Sequence, residues 1–318
     1  MSYYKFSDFL KNKYGQKVYK LPVNLNATCP NRDGKKDRGG CIFCGEEGAD
    51  FECLPSTLSV KEQLEKNSAY ISKNYSSNKF IAYFQNYSNT YLPFNDFQRY
   101  VLEACMEGIV AVYISTRPDC VGDEHLEFLE EVKSKKDVDI VLELGLQTVN
   151  YKALEFLNRG HTLAEFIDAV IRTKRHGLGT CAHYIVDLPV DTVKDVIEGA
   201  KILSALGIEQ VKCHSLYILK DTRLGEMYER GEIKPVSLEE YLERIITFLE
   251  YLSPDIVIQR LLGRAPEERT LFCNWNTSWW KIRDMIEEKM KAEGRHQGSK
   301  FDYLGGKFTF LANDKPAY

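Results

Sequence analysis

TCPNRDGKKDRGGCIFCG, Thr28 to Gly45, concentrates three of the chain's nine cysteines, Cys29, Cys41 and Cys44, in a stretch too polar for a core. Arg32, Lys35, Lys36 and Arg38 share it with four glycines. The run before it, LPVNLNA (21–27), reads as a strand, so the thiols follow a strand end. The spacing is C-x11-C-x2-C. A structural zinc site wants four ligands, commonly as two close pairs. Only one close pair is present here, and the nearest extra candidate is Cys53. Three thiolates on a long loop suit a four-iron cluster with one iron left open to a substrate or cofactor.

Downstream, strand-like and helix-like stretches alternate. KFIAYF (79–84), GIVAVYIS (108–115), DVDIVLELGL (137–146), TCAHYIVDLP (180–189) and IEQVKCHSLYI (208–218) read as strands. Between them lie helical patterns: NDFQRYVLEACMEG, GDEHLEFLEEVKS with Asp123 as a cap, YKALEFLN, TLAEFIDAVIRTKRHG closing on Gly177, and TVKDVIEGAKILSALG. Repeated strand–helix units with continuous apolar strands predict an α/β fold with a parallel sheet covered on both faces. Six such strands suit a partial (β/α)6 barrel of the TIM-like kind, with its site at the C-terminal strand ends. From about 237 the pattern turns helical (LEEYLERIITFLEYL), followed by DIVIQRLLG, a Trp-rich stretch and a last helix. The expectation is a barrel over residues 1–235 and an appendage of helices and strands packed on it over 236–318.

Composition narrows the setting. The apolar runs are strand-sized, so no membrane span is expected, and MSYYKFSDFLKNKYG lacks an apolar signal core. A cytoplasmic protein is the simplest reading, with thiols unpaired, metal-bound or catalytic rather than in disulfides. The net charge is −4. Residues 1–40 carry nine Lys or Arg against three Asp, a local +6 that a polyanion could find. The alternative is a solvated basic face.

The motifs resemble the radical S-adenosylmethionine (SAM) superfamily. Its usual C-x3-C-x2-C carries a longer first gap here, as in the YhcC/YtqA-like subfamily related to the catalytic subunit of Elongator. The likeness continues through FQNYSNTY (84–91), STRPDC (115–120), ELGLQT (143–148), NRGHT (158–162) and VKCHSLYILKDT (211–222). It implies that Cys29, Cys41 and Cys44 hold a [4Fe–4S] cluster whose fourth iron binds SAM. Phe43 takes the aromatic slot near the adenine. Gln85 and Asn89 would meet the SAM amino group. Ser115, Arg117, Glu143 and Gln147 would face its ribose or methionine part. Relatives usually have GLPGET where this chain has DLPVDT, so Asp187 stands at a cofactor position normally glycine. Ferredoxin or flavodoxin would be the reductant, and the chemistry hydrogen abstraction by a 5′-deoxyadenosyl radical. The Elongator relationship implies a tRNA substrate. Relatives of the YtqA type resemble enzymes that convert 5-carboxymethylaminomethyluridine at wobble position 34 to 5-aminomethyluridine, with a methyltransferase as downstream partner. On that reading Lys35, Lys36, Arg38, Trp279 and Lys281 contact RNA. A radical SAM enzyme for a metabolite or peptide, and a non-catalytic metal-binding adaptor, are the alternatives.

Other residues have plainer readings. Cys105, Cys181 and Cys213 are expected as packing thiols; His183 and His214 lie in strands five and six, where they either serve the barrel lumen or are satisfied core histidines, the favoured reading. Arg159 and His161 fall on a helix–helix loop rather than at a strand end. Trp275, Trp279 and Trp280 either stack bases beside Lys281, Arg283 and Arg264 or seal the barrel as an apolar lid, the favoured reading.

Overall fold

The computed structural model describes residues 2–45, 53–75 and 77–306. Its centre is an all-parallel sheet of seven strands: β1 (Tyr19–Val23), β2 (Phe80–Phe84), β3 (Ile109–Thr116), β4 (Asp139–Gln147), β5 (Gly179–Ile185), β6 (Gln210–His214) and β8 (Val257–Arg260). They are ordered as in the chain, and the sheet curls into an open half-barrel. Helices α2 (Val60–Tyr75), α3 (Phe94–Ala104), α4 (Asp123–Lys136), α5 (Tyr151–Phe156), α6 (Leu163–Arg175) and α7 (Val193–Ala205) connect the first six strands. The parallel alternation read from the sequence is thus present, with a seventh strand from DIVIQRLLG, beyond residue 235.

Two faces of each strand do different work, as the period-two pleat requires. Ala82, Phe84, Val112, Ile114, Leu142, Leu144, Ala182 and Tyr184 point outward into the main core beneath the helices. Ile81, Tyr83, Ala111, Tyr113, Val141 and Cys181 point into the lumen. There they meet α1 (Phe6–Tyr14), an amphipathic helix whose Leu10 is buried and whose Phe6 ring lies 6.2 Å from that of Tyr113. So α1 plugs the lower part of the lumen. Burying side chains of this size contributes about 1.5–3 kcal/mol each.

Several boundaries differ from the sequence reading, each for a visible reason. The first strand ends at Val23, not Ala27, because Gln63 takes both backbone groups of Asn24, at 2.9 Å each. The stretch 208–218 is two strands, β6 and β7 (Tyr217–Leu219), because Leu216 N–H turns aside to Asp187 Oδ1 at 2.7 Å. The cap of α4 is Gly122; Asp123 is the first helical residue and pairs with Arg172. Strand β7 joins β9 (Thr270–Cys273) in an antiparallel pair, followed by α10 (Trp279–Ala292). Helix α8 (Arg223–Glu229) follows β7, and α9 (Leu238–Tyr251) packs on α7. No described helix is long and apolar enough to cross a membrane.

Candidate cofactor and substrate cavity

Beyond β1 the cysteine loop is wound by its own backbone. Arg32 N–H bonds Cys29 O, Lys36 N–H bonds Pro30 O and Gly40 N–H bonds Asn31 O, all at 2.8 Å. Cys44 N–H closes the last turn on Cys41 O at 2.9 Å. Gly40 sits at φ +80, where a side chain is strained, and a Cβ there would lie 3.3 Å from Arg32. NRGHT docks onto this loop. Asn158 Nδ2 donates to Gly40 O at 3.0 Å, and Asn31 Nδ2 donates to Asn158 O at 2.5 Å. Gly160, at φ +65, lies so close that a Cβ would stand 2.5 Å from Asn31 Oδ1. Beneath the loop, Ile42 and Phe43 rest on a second apolar cluster with Leu157, Leu216, Ile218 and Leu224.

The result is a cavity of about 440 Å³ at the C-terminal ends of the strands, lined by Cys29, Cys41, Cys44 and Phe43. No fourth cysteine among the described residues lines it. Arg159 Nη1 lies 3.2 Å from Cys41 Sγ, and Arg32 Nη1 lies 3.8 Å from Cys44 Sγ. Burial first, then the neighbouring Cys41, pushes the Cys44 thiol up to about 11. Thiols so placed are stabilised as thiolates by a cation or a metal. Arg117 Nη1 and Arg159 Nε are buried and have no acceptor among the described residues. Three thiols, two guanidiniums beside them and unsatisfied donors fit an iron–sulfur cluster carrying an anionic ligand.

The other end of the cavity is a charged floor. Glu143 is fully buried; its carboxylate takes Lys20, Lys212 at 3.2 Å, His183 at 2.8 Å and Gln259 at 3.0 Å. Burial pushes this carboxyl upward, but Lys20 and then Lys212 outweigh it and hold it well below the usual range. Burial takes Lys212 down to about 7 against the attraction of Glu143. His183 falls to about 4, through burial and then Lys212. Tyr83 OH receives Lys212 at 2.6 Å and bonds Ser115 Oγ at 2.9 Å. Glu143, Cys181 and His183 bring ligand atoms within 4.8 Å of one another. Two ammonium groups already occupy that carboxylate, so a further cation there meets direct repulsion.

The sequence-predicted residues divide. Gln85, Ser115, Arg117, Glu143 and Gln147 all line the cavity with Phe43 and the three cysteines. Arg117 is held by a bidentate pair to Asp119, 2.9 Å on both arms. Asn89 does not line it: its Nδ2 braces Phe84 O and Ser115 O, at 3.1 and 2.8 Å. Asp187 does not either. It is fully buried behind β5 and spends Oδ1 on Leu216 N–H. Of the expected RNA contacts, Lys36 is tied inward to Asp119 at 2.7 Å and to Gly160 O at 2.7 Å. Lys35 and Arg38 are exposed, and Lys35 lies over the Tyr91 ring. Lys281 sits over Trp280. The basic N-terminus is partly neutralised, since Lys5, Lys13 and Lys20 pair with Glu287, Asp139 and Glu143. The tryptophans are not one lid. Trp275 is packed on Tyr241 with Nε1 on Val236 O at 2.7 Å, whereas Trp279 and Trp280 are exposed.

Residues missed from the sequence are those that reach the cavity from unexpected places. His183 and His214, expected as core, line it. Arg159 and His161 come from a helix–helix loop, and His161 Nε2 lies 2.9 Å from Arg159 Nη2. Lys20, Gln259 and Arg260 also line it. NRGHT signalled Arg159 and His161, and VKCHSLYILKDT carried His214; no motif signalled the others.

The family model of the radical SAM superfamily matches residues 28–203, and that of the Radical_SAM C-terminal domain matches residues 208–292. The chain is 35% identical to the uncharacterized protein MJ0486 of Methanocaldococcus jannaschii, over 93% of this chain and 92% of that one. It is 29% identical to the uncharacterized protein YtqA of Bacillus subtilis, over 95% and 94%. A tRNA uridine(34) acetyltransferase of M. jannaschii is 30% identical over 46% of this chain and 26% of that one. Among solved structures, the Elp3 of Methanocaldococcus infernus superposes with a TM-score of 0.67 at 17% identity. That match covers 88% of this chain and 64% of the other, under two thirds of its length, and shows the shared fold. The cysteine cavity at the mouth of a parallel half-barrel and these matches together place the chain in the radical SAM superfamily, whose cofactors are a [4Fe–4S] cluster and SAM.

Proposed function

We propose that Cys29, Cys41 and Cys44 hold the cluster, and that the enzyme acts at wobble uridine 34 of tRNA, converting 5-carboxymethylaminomethyluridine to 5-aminomethyluridine. The observation that carries the cofactor half is the convergence of exactly these three thiols, and of no other described cysteine, on one cavity with Arg32 and Arg159. Likeness to a protein named as a tRNA uridine(34) acetyltransferase supports the substrate half. With the cluster and SAM bound, the pair supplies a 5′-deoxyadenosyl radical that abstracts a substrate hydrogen.

The chain's own residues bind, orient and shield. Arg159 and Arg32 balance thiolate charge, and Arg117 adds a third guanidinium to the cavity wall beside the thiols. Gln85, Ser115 and Gln147 offer polar contacts on the strand ends. Phe6 on the α1 plug forms part of the apolar lining on the lower side of the cavity. In the substrate, the methylene between nitrogen and carboxylate is the weakest carbon–hydrogen bond, since both neighbours delocalise the radical. Loss of a second electron to a one-electron acceptor such as oxidised flavodoxin, with loss of the nitrogen-bound proton, would give an imine, and its hydrolysis would release the two carbons as glyoxylate and leave the amine. Lys35, Arg38, Trp279 and Lys281 are the exposed basic and aromatic groups for the RNA. Ferredoxin or flavodoxin serves as the reductant, and a methyltransferase follows.

The test is a nucleoside profile of bulk tRNA from strains with and without the gene. Accumulation of 5-carboxymethylaminomethyluridine with loss of its aminomethyl products is expected. Matching profiles in a strain that makes those products would remove the tRNA reading. A small-molecule substrate is the second reading, favoured by the inward pairing of Lys5, Lys13, Lys20 and Lys36, which weakens the basic patch.

A further inference from the structure

The cavity floor holds more positive charge than its own acid can balance. Lys20, Lys212 and Arg260 line it, and Glu143 is the single carboxylate among the described lining residues. Lys20 and Lys212 share that carboxylate. No described acid pairs with Arg260. Its Nη2 contacts His214 Nδ1 at 2.7 Å, and its buried Nε has no acceptor. Buried guanidinium protons without acceptors are costly, and such groups persist where a ligand completes them.

Arg260 is aimed there by a local irregularity. Val211 pairs with Ile258, yet the next residue, Lys212, pairs with Arg260, so Gln259 is an extra residue in β8. Strict alternation would turn either Gln259 or Arg260 outward. The bulge lets both line the lumen, and bulges next to sites commonly re-aim a side chain in this way. Lys212 comes from the facing position on β6, and the His183 and His214 rings lie 5.2 Å apart beside it. The guanidiniums beside the thiols are those of Arg32, 3.8 Å from Cys44 Sγ, and Arg159, 3.2 Å from Cys41 Sγ, so Arg260 and Lys212 form a second charged group in the same cavity.

We propose that Arg260 and Lys212, steadied by His214, form a carboxylate-binding subsite for the substrate. A carboxylate here meets the Arg260 guanidinium where it lines the cavity and shares the Lys212 ammonium, as charge-assisted bonds favour. Lys212 and Arg260 hold facing positions on adjacent strands, a spacing that suits one carboxylate. The same floor borders a second cavity, of about 620 Å³, that shares Phe6, Lys20, Gln259 and Arg260. The proposal rests on the wobble-uridine reading for its particular acid, the carboxymethylamino group.

The experiment compares two anticodon stem-loops on the SAM-loaded holoenzyme, one carrying 5-carboxymethylaminomethyluridine and one carrying 5-aminomethyluridine. The acid is expected to bind roughly 10- to 100-fold more tightly. Arg260→Gln should abolish that preference, Arg260→Lys should recover part of it, and SAM affinity by equilibrium dialysis should hold in both. Equal weakening of both stem-loops by Arg260→Gln would assign a phosphate contact and overturn the subsite. Parallel loss of SAM affinity would assign Arg260 to the cofactor and overturn it as well. A wild-type enzyme that converts the nucleoside without preferring the acid removes the subsite and keeps the function. One that neither converts nor discriminates removes the function. The subsite then stands or falls on N-methylglycine against N-methylglycinamide, with thermal protection by the acid alone, lost in Arg260→Gln, required to keep it.

Discussion

Replacing Asp187 by Asn should stabilise this protein, by an amount that grows as pH rises from about 4 to 7. The Asp187 carboxyl is fully buried, with Oδ1 on Leu216 N–H at 2.7 Å and Oδ2 without a donor. Burial pushes it up to about 7, against the Leu216 bond and the more distant Arg244. In the unfolded chain it titrates near the ordinary 3.8. Between those values the folded state holds a proton that the unfolded state has released, so stability falls as pH rises through this window. About three pH units at ~1.4 kcal/mol each give a penalty of roughly 4 kcal/mol once pH exceeds 7, and none below pH 4. Asparagine keeps the acceptor for Leu216, adds a donor in place of Oδ2 and carries no charge at any pH. We expect Asp187→Asn to gain roughly 2–4 kcal/mol at pH 8, about 4–8 °C in Tm, and no more than about 1 kcal/mol at pH 4.5. Thermal unfolding of both proteins at the two pH values, with equal iron content, measures this. A gain that is absent at pH 8, or equal at both, refutes the linkage argument. The variant should also keep its SAM affinity, because Asp187 does not line the cavity. A tenfold loss would return Asp187 to the cofactor role that its place in DLPVDT suggested.

Replacing Cys29, Cys41 or Cys44 singly by Ala should drop iron from about four per chain to a small residue and abolish SAM cleavage. The same change at Cys105, whose Sγ donates to Val101 O and which packs on the main core away from the cavity, should do neither. Glu143→Gln leaves Lys20 and Lys212 buried against a neutral group and should cost about 3–5 kcal/mol in denaturant unfolding. Adding Lys20→Met should recover part of that loss, and a strictly additive double variant would contradict the shared-carboxylate geometry. Trp275→Ala should destabilise by about 3–5 kcal/mol, since the ring packs on Tyr241 and Phe272. Trp280→Ala, on the exposed start of α10, should stay within about 0.5 kcal/mol and weaken tRNA binding in a gel-shift titration.

Much of the architecture is legible because it is local. Apolar runs at strand length, with amphipathic helices between them, recur often enough to force parallel β/α units, and β2 to β5 fall within a few residues of where the pattern put them. Cys29, Cys41 and Cys44 were legible as a group, because they lie near one another in the sequence and the fold had only to wind one loop to gather them. Phe43, Gln85, Ser115, Arg117, Glu143 and Gln147 were found from motifs at strand ends, the positions a parallel barrel directs to one mouth.

What the sequence left open depends on pairings between distant segments. Asn89 and Asp187 sit in motifs yet serve the backbone, because a side chain's partners are chosen by its packing and not by its neighbours in the chain. Arg159 reaches Cys41 only because NRGHT is stapled to the cysteine loop by Asn31 and Asn158. Helix α1 carries no chemical motif, and its role as the lumen plug exists only once seven strands have curled around it. The charged floor is the sharpest case. Lys20, Glu143, Lys212 and Arg260 come from β1, β4, β6 and β8, and Arg260 faces inward through a bulge that alternation does not predict. Local periodicity determined the elements and the thiol loop. Sheet closure and one shifted register decided which charges meet inside it, since burial binds opposite charges together wherever the fold brings them within reach.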